Sequence, residues 1–154
     1  LAPSSLSRAD ALVYEVVARC CIAETESTAT LLELMPRTRG DVREVVHQIA
    51  RDEVRHARLG WRFLASVTSG GRDLAWLGDH VPTMLATGGT PLFTPLSPFD
   101  FDDEDPERGR LALAEQRRVF VATLHDVVFP GLELHGIPTG PARAWLAMQE
   151  RRAA

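Results

Sequence analysis

The sequence predicts an all-α chain built on one antiparallel pair of long helices. Three observations carry this. Apolar residues recur at helical spacing through residues 7–35 and again through residues 41–67. The breaker Pro36-Arg37-Thr38-Arg39-Gly40 separates the two runs and is short enough to force a hairpin. No segment alternates with a period of two, so no strand pattern competes.

Each element follows from local signals. Ser7 is a good N-cap for the first helix, with Asp10 at its third position, and Pro36 closes it. Asp41 is the expected N-cap of the second helix, which runs to about Ser66 or Val67 before Thr68-Ser69-Gly70-Gly71 stops it. Residues 1–69 therefore form a helix hairpin. Residues 70–107, rich in Gly and Pro, read as a long irregular loop with one short helix near residues 73–77. A loop of that length needs a reason. Leu92, Phe93, Phe99 and Phe101 could pin it to a helical surface or another subunit. Its acidic run, Asp100, Asp102, Asp103, Glu104, Asp105 and Glu107, lacks the spacing and glycine of an EF-hand loop and reads as a solvated acidic segment. Residues 108–154 form a C-terminal helical extension: a helix over about 108–129, broken by Pro130-Gly131, and a short one over 141–151. The first of these has too many apolar positions for one narrow face, so it is expected to pack on the bundle.

Bulk properties exclude some functions. The chain has 154 residues, enough for one domain with a core, at 45% hydrophobic and 25% charged. A net charge of −4 argues against a nucleic-acid surface, which needs concentrated Lys and Arg. No run of about 18 apolar residues is present, so no membrane span is expected, and the opening residues lack a signal-peptide pattern. Cys20 and Cys21 are adjacent on a helix and point about 100° apart, which disfavours a mutual disulfide. Two buried thiols and a reducing, cytoplasmic setting fit best.

The chemistry lies on the hairpin. On the first helix Val13, Val17, Cys20, Glu24, Thr28, Leu31 and Met35 share a face, and Glu24 is its anomaly. The other face reads Glu15, Arg19, Glu26 and Glu33, with Ile22 the one apolar intruder, so Glu26 is expected in water. On the second helix Val42, Val46, Ile49, Glu53, His56, Ala57 and Gly60 share a face, opposite an outer face of Glu44, His47, Arg51, Arg55, Arg58 and Arg62. Glu24 and Glu53 lie about equally far from the turn, so an antiparallel hairpin brings them level. Three ionisable groups at one height of an apolar core are costly unless compensated. A buried Glu–His pair, or an arginine from elsewhere, is one compensation. A metal ion is the more natural one: Glu from one helix and Glu-x-x-His from the next is the set that each helix pair of a di-metal carboxylate bundle supplies. Glu44 and His47 repeat the spacing on the opposite face among arginines, and read as solvated.

The strings Cys21-Ile22-Ala23-Glu24-Thr25-Glu26 and Ala50-Arg51-Asp52-Glu53-Val54-Arg55-His56-Ala57-Arg58-Leu59-Gly60-Trp61 resemble the ferritin-like superfamily of di-metal carboxylate proteins, specifically its second helix pair, over about residues 8–65. Residues 52–56 are similar to the motif of ribonucleotide reductase small subunits and bacterial multicomponent monooxygenases. The closing His-Ala-Arg-Leu-Gly-Trp is nearer still to bacterial ferritin-like domain proteins with no assigned reaction. The resemblance implies a ferritin-like four-helix bundle, with Glu24 and Glu53 as carboxylate ligands, Glu53 bridging, and His56 as a nitrogen ligand. Asp52 and Arg55 would orient the ligands by hydrogen bonds. It also implies iron, two per completed site, or manganese, in an O2-dependent oxidase, oxygenase or ferroxidase.

This chain carries half of the ligand set. Asp79-His80 and Glu133-Leu134-His135 have the wrong spacing, and Glu115, His125 and His135 are weaker candidates. The missing half is expected from another polypeptide: an N-terminal half of a longer protein first, given the start at Leu1 without Met, and a homodimer second. No Gly-x-Gly-x-x-Gly loop is present, so electrons would come from a donor protein. The alternative is a non-catalytic helical interaction module in which Glu24, Glu53 and His56 form a buried polar cluster.

Overall fold

The computed structural model describes residues 2–94 and 105–153. Five helices carry the fold. α1 spans residues 8–34 as one continuous rod with a π-helical stretch, Val17–Ala23, between the α-helical Arg8–Val16 and Glu24–Leu34. α2 is Gly40–Ser69 and α3 is Val81–Phe93. α4 spans residues 113–134, with a second π stretch at Leu124–Val128, and α5 is Gly140–Ala153. Among the described residues no strand occurs, as the sequence pattern predicted.

The hairpin forms as expected. Ser7 caps α1, its hydroxyl accepting from the Asp10 amide at 3.1 Å while donating to the Asp10 carboxylate. Between the helices Thr38 is buried, and its hydroxyl donates to the Met35 carbonyl at 3.0 Å. The start of α2 differs from expectation: Arg39 is the cap residue, with no side-chain bond, and Asp41 sits inside the first turn. Gly40 explains this, because its φ of +54° turns the chain one residue earlier than a side chain would allow. Asp41 still faces the positive end of the helix dipole. The far end also extends two or three residues beyond expectation, to Ser69.

Two further corrections concern the C-terminal half. Residues 81–93, expected as loop, are helical. Gly88, Gly89 and Pro91 argue against a helix by propensity, each glycine costing about 1 kcal/mol relative to alanine. Packing overrides them: Val81, Met84, Leu85 and Phe93 are buried. Gly89 lets the rings of Phe120 and Trp145 approach so closely that a Cβ there would lie 2.5 and 2.9 Å from them. Pro130-Gly131, expected to end a helix, lies inside α4. The π stretch shifts the hydrogen-bond register just before Pro130, where its missing N–H is needed least. The Trp61 ring packs on Gly131, with 2.7 Å to where a Cβ would be.

The main core joins the N-terminal part of α1 and the end of α2 to α3, α4 and α5, around Val17, Leu64, Leu85, Phe129 and Leu146. α1 is thus covered on two sides. This corrects the expected solvent face of α1: Ile22 is 2% exposed, and Glu26 points toward α3, its carboxylate 3.6 Å from where a Gly88 Cβ would be. A small second cluster, Leu34, Val46 and Leu111, closes the turn end of the hairpin. Among the described residues nothing covers the far flank of α2. Val45, Ile49 and Leu59 are 53%, 43% and 65% exposed. Of the pinning residues, Phe93 is buried and Leu92 half-buried, whereas Phe99 and Phe101 lie outside the described residues, as does the acidic run from Asp100 to Glu104.

Candidate metal centre

The two helices come into close contact at Gly60, where an added Cβ would come within 2.5 Å of Cys20 Cβ and 2.9 Å of its carbonyl carbon. That contact fixes the spacing of the hairpin one turn from the candidate ligands. The π stretch of α1 ends at Ala23, immediately before Glu24. An extra residue in one turn rotates everything after it relative to everything before, and such turns recur at functional sites. Here it aims Glu24 across the seam to α2.

One ligand atom each from Glu24, Glu53 and His56 lies within 4.8 Å of the others. His56 Nδ1 stands 3.8 Å from Glu24 Oε1 and 3.8 Å from Glu53 Oε2. The level register of the two glutamates, inferred from their distances to the turn, is what the structure has. Burial differs from the sequence expectation. The Glu24 and Glu53 side chains are 27% and 21% exposed and His56 is 58% exposed, so the group sits at the edge of the seam and not in a closed core. Ile49, one turn before Glu53 and two before His56, is uncovered on the same flank. The group therefore opens onto the side of α2 that is uncovered among the described residues.

The residues fit a divalent metal. Two ligands bound at about 2.1 Å to one ion are at most about 4.2 Å apart, and both His56–carboxylate distances meet that limit. Glu53 Oε2 is buried without a hydrogen-bond partner, a costly state for a carboxylate oxygen that a cation relieves. Two carboxylates and one imidazole suit iron or manganese by ligand hardness.

The other singled-out residues fall elsewhere. Asp52 and Arg55 pair with each other at 3.2 Å on the surface, both about two-thirds exposed, and make no bond to the three ligands among the described residues. The supporting role implied for them is absent from this arrangement, because each lies one position before Glu53 or His56 and is turned about 100° from it around the helix. Glu44 and His47 are exposed, as read from the sequence. Glu115 accepts from Arg118 and Arg37, at 2.8 and 2.6 Å, and Arg118 first, then Arg37, hold its carboxyl down to about 2. His135 stacks on Trp61 and meets the Thr68 hydroxyl at 3.2 Å, and His125 packs edge-on against Phe129. None of them joins the group.

Glu26 is the residue that sequence reasoning misplaced. It faces a pocket with Ala23, Thr30, Gly88, Gln116 and Phe120, and its Oε1 is buried without a partner. Burial pushes its carboxyl up to about 8. No sequence signal announced this, because the covering helix lies in a segment that reads as loop. No helix is long and apolar enough to cross a membrane among the described residues. Comparison with known protein families, with curated proteins and with solved structures gives no match.

Proposed function

We propose that this chain is the ligand-bearing helix pair of a ferritin-like di-metal carboxylate protein. Glu24, Glu53 and His56 hold iron or manganese, and a second helix pair, covering Val45, Ile49 and His56, completes the site. The observation that carries the reading is the coincidence of two incomplete features on one flank. A three-residue donor set with an orphaned carboxylate oxygen opens onto an apolar helix face that no other element covers among the described residues. A partner helix pair answers both needs at once. Such a partner is either a preceding segment of the same protein or a second copy of this chain.

The completed centre would supply redox chemistry, and an O2-linked oxidase, oxygenase or ferroxidase is the activity proposed. This chain's own contribution is to present one nitrogen and two carboxylate donors, and to leave the flank beyond His56 open for the partner. Electrons would be delivered by another protein.

The test is metal content after anaerobic reconstitution with ferrous or manganous salt. Wild type retains metal, Glu53→Ala and His56→Ala lose it, and His47→Ala keeps it. Retention that is equal in all four, or absent in all four, refutes the reading. A second reading has one observation in its favour: His56 sits equidistant from both carboxylates, at 3.8 Å from each, and as an imidazolium would offset one of the two negative charges without metal. On that reading the trio is a polar cluster in a helical interaction module, and reconstituted protein holds no metal.

A further inference from the structure

α1 and α2 leave two grooves along their seam. One runs past Leu31, Val42, Val45 and Ile49, in line with the candidate ligands. The other lies on the opposite flank, about 310 Å3 in volume, walled by Ala29 and Leu32 of α1, Val54, Ala57 and Trp61 of α2, and Val127 of α4. Neither Glu24, Glu53 nor His56 lines this second groove. It continues past Leu32 and Val54, which it shares with a further hollow of about 440 Å3 reaching Arg51 and Arg55.

Three features make this groove more than loose packing. Its depth comes from two small residues, Ala29 and Ala57, where larger apolar side chains would have filled the seam. Its end wall is rigid: Trp61 donates to Thr25 Oγ1 at 3.3 Å, stacks on His135 and is wedged against Gly131. Its rim carries one sign of charge. Arg58 is in the wall and Arg51 and Arg55 follow along the mouth, while no Asp or Glu lines either hollow. Arg55 is paired with Asp52, but Arg51 and Arg58 have no acidic partner within ion-pair distance among the described residues.

We propose that this groove binds a single-chain aliphatic carboxylate. The chain lies against Ala29, Leu32, Val54, Ala57 and Trp61, and the carboxylate stands at the mouth near Arg58 and Arg51. From Val54 to Trp61 the groove runs along about 10 Å of helix axis, the length of a chain of about eight to ten carbons. An apolar lining with a few placed charges is the usual character of a small-molecule site, and arginine is the cation best matched to a carboxylate. The inference goes beyond the metal reading and does not depend on it.

The experiment titrates octanoate, nonanoate, decanoate and 1-decanol into the metal-free full chain, read by tryptophan fluorescence and by calorimetry. Decanoate should saturate at one per chain. Each added methylene should tighten binding by up to about fourfold, from about 0.8 kcal/mol per buried CH2. Arg58→Gln should weaken decanoate about three- to fivefold, as an exposed charge contact allows, and leave decanol unchanged, while Arg62→Gln alters neither. Ala29→Trp should block both ligands, with Val54→Trp as a second blocking variant should the first not fold. Glu53→Ala should bind decanoate as wild type does, which keeps the outcome separate from that of the metal site. The proposal is overturned by no saturable decanoate binding below about 1 mM, by equal affinity for decanol and decanoate in wild type, or by loss of binding in Glu53→Ala.

Discussion

Substituting Gly60 by Ala and Gly88 by Ala should move stability in opposite directions, although both are helix-interior glycines. Alanine gains about 1 kcal/mol of helix propensity at either position. At Gly88 the new Cβ meets only the Glu26 carboxylate at 3.6 Å, an ordinary contact, so most of the gain survives. At Gly60 it would lie 2.5 Å from Cys20 Cβ, 2.9 Å from the Cys20 carbonyl carbon and 3.1 Å from the Cys21 nitrogen. Two of those atoms are backbone, which no rotamer can move. α1 and α2 must part by about 0.9 Å to restore a 3.4 Å contact, and overpacking of that kind costs about 3 kcal/mol at the upper end of its usual range. The net for Gly60→Ala is then about 2 kcal/mol of destabilisation. For a chain of this size that lowers Tm by about 4–8 °C, whereas Gly88→Ala raises it by about 2–4 °C. Differential scanning calorimetry on the two variants, with urea midpoints as a check, reads both. Equal shifts of the same sign would show that the helix crossing at Gly60 is not as tight as described, and the reasoning that positions Glu24 against Glu53 would fail with it.

Other outcomes follow from single residues. Glu26 has its carboxyl pushed up to about 8 by burial, so the folded state prefers it neutral. Its stability contribution is fully present below the unfolded value of about 4.5 and is lost as pH rises through about 8. Glu26→Gln should therefore gain about 2 kcal/mol or more over wild type at pH 9, at about 1.4 kcal/mol per unit discounted for relaxation, and little at pH 4; a pH-independent difference in urea unfolding refutes this. Glu115 behaves in the opposite sense. Its carboxyl is held down to about 2 by hydrogen bonds and charge from Arg118 and then Arg37. Glu115→Gln should be less stable than wild type at neutral pH, with the deficit closing as pH falls from about 4.5 toward 2; a deficit unchanged at pH 2.5 contradicts the ion-pair account. Deleting the residues after Gly109 removes Phe120, Leu124, Phe129 and Leu146 from the main core, so the truncated chain should aggregate on expression. A soluble truncation with wild-type helicity would make the C-terminal helices an appendage.

The hairpin and the meeting of Glu24, Glu53 and His56 were legible because both rest on short-range rules. Helical spacing, the cap at Ser7, the breaker at Pro36 and equal distances from the turn sufficed to bring Glu24 level with Glu53. What escaped depends on contacts distant in sequence. Val81–Phe93 carries two glycines and an internal proline, and its packing against other helices, Phe120 and Trp145 among its neighbours, overrides them. Glu26 followed from that omission, since its surroundings come from α3 and α4. The π stretches have no propensity signature at all, yet one of them carries Pro130 within α4 and the other directs Glu24. The exposure of His56 was not legible, because the sequence marks an inward face while no described residue packs over His56 or the neighbouring Ile49 and Val45.

Native mass spectrometry of the chain after anaerobic loading with ferrous or manganous ion tests the central claim most directly, with Glu53→Ala run in parallel. Metal should be retained in a species heavier than the 17.0 kDa chain and be lost in the variant. That species is either twice the mass, for a second copy, or a complex with a polypeptide of different mass. A 17.0 kDa monomer without metal, or metal held equally well by Glu53→Ala, would contradict the assignment of Glu24, Glu53 and His56 as half of a di-metal site.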